Sequence, residues 1–169
     1  MKLSSQEEYG LRCLLRIAHE GDGGSLTIPE ISAAEGISTF YVAKLMRLLR
    51  RGGFVTSARG QAGGYTISRP PEGIAIGEVL ALLGGRLFDP AFCDTHSGVE
   101  TVCTHTVDCS IRSLWRAVQL VVDRVLNKTT LKELLGSEQA VDAWVAPLVR
   151  VAGKEMKSLR IPSQAGGRG

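Results

Sequence analysis

Nowhere in its 169 residues does the sequence carry an apolar run near the roughly 18–20 residues of a membrane span. The opening MKLSSQEEYG has charges where a signal peptide needs its apolar stretch, so a cytoplasmic protein with no membrane partner is expected. No Ser/His/Asp arrangement, phosphate-binding loop or flavin motif is present, which argues against an enzyme. Cysteine is scarce, with four in the chain. In a reducing cytosol clustered thiols are better read as metal ligands or redox groups than as structural disulfides. The paired C-x2-C knuckles of a closed zinc site are also missing. Most telling is the lack of acid between Gly36 and Pro71, a segment with six basic residues: Lys44, Arg47, Arg50, Arg51, Arg59 and Arg69. From Glu72 onward eleven basic and eleven acidic residues cancel. The net charge of +3 therefore hides a local positive patch of the kind that attracts phosphate.

What is present reads as a short series of helices. In QEEYGLRCLLRIAHE, residues 6–20, the spacing of Leu11, Leu14, Leu15 and Ala18 puts an apolar stripe on one helix face, and GDGGS ends it. Thr27 to Glu30 has the T-x-x-E form of a capping box with Pro29 in the first turn, predicting a second helix over about 28–34. Ser38 can cap a third, STFYVAKLMRLLRR, whose buried stripe is Val42, Leu45, Met46 and Leu49 and whose stop is Gly52. Two short helices joined at a turn containing Gly36 form a helix-turn-helix. Two β-prone runs, Phe54–Ser57 and Tyr65–Ser68, then flank RGQAGG as a hairpin with a glycine-rich tip. A hairpin directly after a recognition helix is a wing.

These features coincide with the acid-free segment, and together they point to duplex DNA. The expected fold class is mainly α with a small β-hairpin wing. In this reading Ser38, Thr39, Phe40, Tyr41 and Lys44 lie near base edges, while Arg47, Arg51 and Lys2 contact phosphates. Arg59 at the wing tip would enter the minor groove, where negative potential favours arginine. Tyr41 has an alternative place in the core.

Farther on, IAIGEVLALLGG suggests a connecting helix, and SIRSLWRAVQLVVDRVL places Ile111, Leu114, Trp115, Val118, Val122, Val125 and Leu126 on one wide stripe. That stripe is wider than one small winged domain needs, so a dimerisation helix is expected, matching the paired reading heads of two-fold operators. Thr130 to Glu133 is a further capping box, followed by a helical stretch from about Ser137 interrupted near Pro147 and by a disordered tail, IPSQAGGRG. The expected division is a DNA-binding unit over 1–71, a connecting helix over 72–91, a cysteine loop over 92–109, the dimer helix with its successor over 110–135, and an extension over 136–169.

Between Phe92 and Cys109 the sequence FCDTHSGVETVCTHTVDC spaces three thiols as C-x9-C-x5-C. Iron–sulfur clusters accept such loose spacing because ligands bind different corners of a larger object, and three thiolates with one other ligand make a workable shell. His96 and His105 are further donors within the loop. Cys13, inside the first helix, reads as a small buried hydrophobe, and His19 as a helix-end or surface residue.

The start MKLSSQEEYGLRCLLRIA, the segment TIPEISAAEGISTFYVAKLMRLLRRGGFVTSARGQAGGYTIS, the three-cysteine loop and the helix ending in LNKTTLKELL together resemble the IscR/NsrR-type family of bacterial winged-helix iron–sulfur regulators, over roughly residues 1–135. The resemblance implies a homodimer on a double-stranded DNA operator, with a cluster that changes DNA affinity when nitrosylated, oxidised or lost. It makes Cys93, Cys103 and Cys109 the cluster ligands, with Glu8 of the partner subunit, next to Glu7, or a loop histidine completing a shell that is 4Fe–4S in preference to 2Fe–2S. Two departures stand out. Arg112 occupies the place of the histidine that members controlling cluster biogenesis carry, which puts their 2Fe–2S ligation in doubt. Arg12 occupies the place of the histidine that another branch uses in the first helix. The first cysteine gap of nine is also longer than the five common in close relatives. The alternative is a cofactor-free winged-helix regulator with thiol-based redox sensing.

Overall fold

Three helices start with the same local device, a hydroxyl and a carboxylate exchanging hydrogen bonds with the backbone amides that a helix start leaves unpaired. Ser4 and Glu7 open α1 (Ser5–Ala18), Thr27 and Glu30 open α2 (Ile28–Glu35), and Thr130 and Glu133 open the short helix Leu131–Leu134. Each threonine cap contributes about 1 kcal/mol. The computed structural model describes residues 3–21, 23–58, 63–88, 92, 103, 105 and 108–158, with 58 and 151–158 described by backbone alone. The expected disordered tail, the wing tip and most of the cysteine loop lie outside the described residues.

α2 ends at Gly36, whose φ of +66° is the left-handed conformation that lets the chain turn into α3 (Thr39–Arg51) without a side-chain clash. Strands β1 (Val55–Ala58) and β2 (Gly64–Ile67) pair antiparallel, with Val55 opposite Ile67 and Ala58 opposite Gly64. The pairing starts one residue later than the expected Phe54, because Phe54 turns inward to 4% exposure and lies beneath the Arg69 guanidinium. A bridge between Leu26 and Tyr65 adds the chain before α2 to the edge of this hairpin. Gly64 is required there, since a Cβ would fall 2.8 Å from the Leu26 carbonyl oxygen.

Beyond a 3-10 turn over Pro71–Gly73 come α4 (Ile76–Leu83), α5 (Ser110–Lys128), α6 (Leu131–Leu134) and α7 (Glu138–Ser158). The core gathers Leu14 and Ile17 of α1, Ile31 of α2, Leu45, Met46 and Leu49 of α3, and Val79 of α4, all at 1% exposure or less. Burial of each such side chain stabilises the fold by roughly 1.5–3 kcal/mol. α6 returns to this core after the long helix. The Ile76 amide donates to the Thr129 carbonyl at 2.9 Å and the Leu131 amide to the Ile74 carbonyl at 2.8 Å, seating Leu131 at 0% exposure. The mainly α fold with its two-stranded wing is as expected from the sequence, and no helix among the described residues is long and apolar enough to cross a membrane.

One expectation needs correction. The backbone of α7 runs through Pro147 rather than breaking there. Proline removes one amide and crowds the preceding turn, but the residue four back is Ala143 and its immediate neighbour is Ala146, two small helix-formers. The helix therefore loses the hydrogen bond to the Ala143 carbonyl and continues.

Candidate DNA interface and cysteine site

The Ser38 hydroxyl accepts the Tyr41 amide at 3.3 Å and starts α3 with no acidic residue in its first turn. With Val42, Leu45, Met46 and Leu49 at 0% exposure, the opposite side of the helix faces out. Phe40, Lys44, Arg47 and Arg51, at steps of four, three and four, form one row along that outward side, and all four are exposed. Ser38 and Thr39 are exposed beside the head of the row. Tyr41 is half-buried, its ring edge-on to Tyr9 of α1 at 6.0 Å, and the Lys44 ammonium sits 5.5 Å above the Tyr41 ring. The tyrosine thus takes the packing alternative and props Lys44 rather than standing with Thr39 and Phe40.

Arg69, counted in the basic segment, pairs with Glu78 at 2.6 Å and covers Phe54, so its charge is committed to the base of the wing. The Thr56 and Thr66 hydroxyls bond across the hairpin at 3.0 Å. Lys2 and Arg59 lie outside the described residues.

At the other end of the chain, Cys109 is the N-cap of α5, its sulfur accepting the Arg112 amide at 3.3 Å. Cys103 is half-buried and His105 exposed, while Cys93 and His96 lie outside the described residues. The entry to the loop is held by a polar chain that the sequence did not reveal. Gln119, 6% exposed and the one buried residue of α5, accepts the Phe88 amide at 2.7 Å and donates to Asp123 at 2.7 Å. Asp123 pairs in turn with Arg86. A glutamine within an otherwise apolar helix face was the available signal, but its partner is 31 residues away.

The two glutamates of α1 are separated by their surroundings. Glu7 is occupied in the capping box with Ser4, at 2.8 Å from the amide and 2.6 Å from the hydroxyl, whereas Glu8 is exposed. Arg12 is tied to the end of α2, its Nε 2.9 Å from the Glu35 carboxylate and another guanidinium nitrogen 2.8 Å from the Glu35 carbonyl. Burial pushes the Cys13 thiol up to about 12, with Glu35 adding to the rise and Arg12 opposing it. Cys13 therefore stays a neutral thiol inside the core, unsuited to metal or redox chemistry. Among the described residues no three of His, Cys, Asp and Glu come together to hold a metal. Those described do include two soft sulfur donors, Cys103 and Cys109, and the chemistry of that pair fits an iron–sulfur group.

A family model named Rrf2, for iron-dependent transcriptional regulators, matches residues 3–137. The chain belongs to the Rrf2 family. Rrf2 protein of Nitratidesulfovibrio vulgaris is 35% identical over 135 residues, 80% of this chain and 87% of that one. The HTH-type transcriptional regulator IscR of Escherichia coli is 31% identical over 142 residues, covering 84% and 85%. CymR, the global cysteine regulator of B. subtilis, superposes with a TM-score of 0.64 at 29% identity, covering 80% of this chain and 96% of that one. As an Rrf2 protein the chain is a winged-helix transcriptional regulator and not an enzyme. α7, from Glu138, lies beyond the Rrf2 match.

Proposed function

We infer that this Rrf2 regulator works in the cytoplasm as a homodimer on a double-stranded DNA operator, and that an iron–sulfur cluster on Cys93, Cys103 and Cys109 sets its affinity. The observation that carries the DNA reading is the outward row of Lys44, Arg47 and Arg51 on α3, opposite a fully buried apolar side. Cations so placed neutralise phosphates and release counterions. The exposed face of Ile111, Leu114 and Trp115 on α5 supports the dimer.

Glu8 of the partner subunit is the preferred fourth ligand of a 4Fe–4S cluster, because the Glu7 carboxylate is already occupied. When bound, the cluster supplies an iron–sulfide centre open to nitric oxide and oxidants, whose change or loss alters DNA binding. The chain's own residues give the path. Glu8 adjoins Tyr9, which rests on Tyr41 of the recognition helix, and Arg12 one turn on is fixed to the end of α2. A shift of α1 therefore moves both helices of the helix-turn-helix, and a coupling of about 1–3 kcal/mol gives a useful change in occupancy.

Anaerobic absorption and native mass of the reconstituted full chain test this reading. A dimer carrying iron and sulfide is expected, with operator binding whose salt slope falls by about one in Arg47→Ala. Absence of iron, sulfide and visible absorption sinks the cluster. The likeness to CymR favours one alternative, thiol sensing without a cofactor. In that case operator affinity differs between reducing and oxidising buffer in the metal-free protein, and Cys103→Ala removes the difference.

A further inference from the structure

Phe40 is 84% exposed, more than any other large apolar side chain among the described residues. An exposed phenylalanine alone is ordinary. This one occupies the first turn of α3 and heads the row whose next three members are Lys44, Arg47 and Arg51. An apolar tip followed by cations at one helical repeat is an uneven surface, and its charges are complementary to a phosphate backbone rather than to an apolar protein partner. Lys44 is steadied above Tyr41, so the part of the row nearest Phe40 is held in place by the core.

Resting on the DNA reading above, the geometry then limits what the phenyl ring can do. The first turn of a recognition helix approaches base edges while residues farther along meet phosphates. Phenylalanine neither donates nor accepts a hydrogen bond, so the N7, O6, N6 and N4 groups of the major groove are closed to it. The apolar group on that edge is the C5 methyl of a pyrimidine. We propose that Phe40 is a specificity-determining residue that seats against a pyrimidine C5 methyl in each operator half-site. Thymine is the ordinary source of that methyl, and 5-methylcytosine carries the same group.

The test uses the full reconstituted chain and a duplex selected from random sequence. Each thymine is replaced in turn by deoxyuridine, which removes the methyl and leaves base pairing intact. At one position per half-site the wild type should lose about fourfold in affinity, the worth of one buried methyl group. Phe40→Ala should show no loss there, with an unchanged thermal midpoint because the ring is exposed, and Phe40→Leu should keep part of the effect. A gain on methylating cytosine that Phe40→Ala abolishes would assign the methyl to 5-methylcytosine. Identical deoxyuridine and methylation profiles in wild type and Phe40→Ala overturn the proposal while leaving sequence-selective binding intact. If no duplex is bound above nonspecific competitor, the DNA reading itself falls and the proposal with it.

Discussion

Along α3 the apolar residues Val42, Leu45, Met46 and Leu49 are all at 0% exposure, whereas on α5 Ile111, Leu114 and Trp115 remain at 63, 58 and 44%. Both helices have a regular apolar face, so periodicity says which side is apolar and not what covers it. α3 is enclosed by α1, α2 and α4 of its own chain, which frees its other side for basic residues. α5 meets α4 and α7 along part of its surface and leaves the first turns of its stripe open. Helices of similar pattern thus differ in what covers them: one is completed inside the chain, and the other keeps an open stretch of the kind that the proposed second copy would cover.

Leu45→Ala should cost the most, about 2–5 kcal/mol in a denaturant titration, because the cavity lies among residues with no exposure. Leu114→Asp should leave the unfolding of the monomer nearly unchanged and weaken the dimer by about a hundredfold, near 2.7 kcal/mol, in sedimentation equilibrium. If instead it unfolds the monomer as Leu45→Ala does, the stripe is internal packing and the contrast fails. Gln119→Leu leaves the buried Phe88 amide without its acceptor and should cost about 1–3 kcal/mol. Hydrogen exchange at Phe88 should rise while the amides of α3 stay protected.

Thr130→Ala should cost about 1 kcal/mol at neutral pH. Its pH dependence has a definite sign. The Thr130 hydroxyl holds the Glu133 carboxyl below its ordinary value of 4.5, and the Thr27 amide does the same for Glu30. A carboxyl lowered in the folded state contributes stability above the ordinary value and loses it as pH falls below. The wild type should therefore lose part of its advantage over Thr130→Ala on acid titration below about pH 4, keeping the share that the hydroxyl gives by accepting the Glu133 amide. A gap of the same size at about pH 2 as at neutral pH would assign all of it to something other than the ionised carboxylate.

Much of the reading head was legible because its signals are local. Thr27 with Glu30, Ser38 before α3 and Gly36 at the turn each act within four residues, and the structure places a helix boundary at each. The S-x-x-E form at Ser4 to Glu7 is as local, and it separates Glu7 from Glu8. Tyr41 could not be placed from sequence because its neighbour Tyr9 is on another helix. Arg12 read as a missing histidine, and its tie to Glu35 appears only once α1 and α2 pack. Pro147 does not break α7, since alanines before it tolerate the lost hydrogen bond.

The hold of Gln119 on Phe88 also bears on chain length. Phe88 is fixed to the middle of α5 and Cys109 caps its start, so both ends of the intervening twenty or so residues are anchored to one rod. At 1.5 Å per residue those anchors are on the order of 15 Å apart along the helix axis, whereas the chain between them could reach about 70 Å if extended. Closure entropy grows only with the logarithm of length, so four residues added to the first cysteine gap cost a few tenths of a kcal/mol. Thiol spacing in this segment is therefore almost free of the fold's thermodynamics, and its length can change at little cost to the packing of the helices on either side.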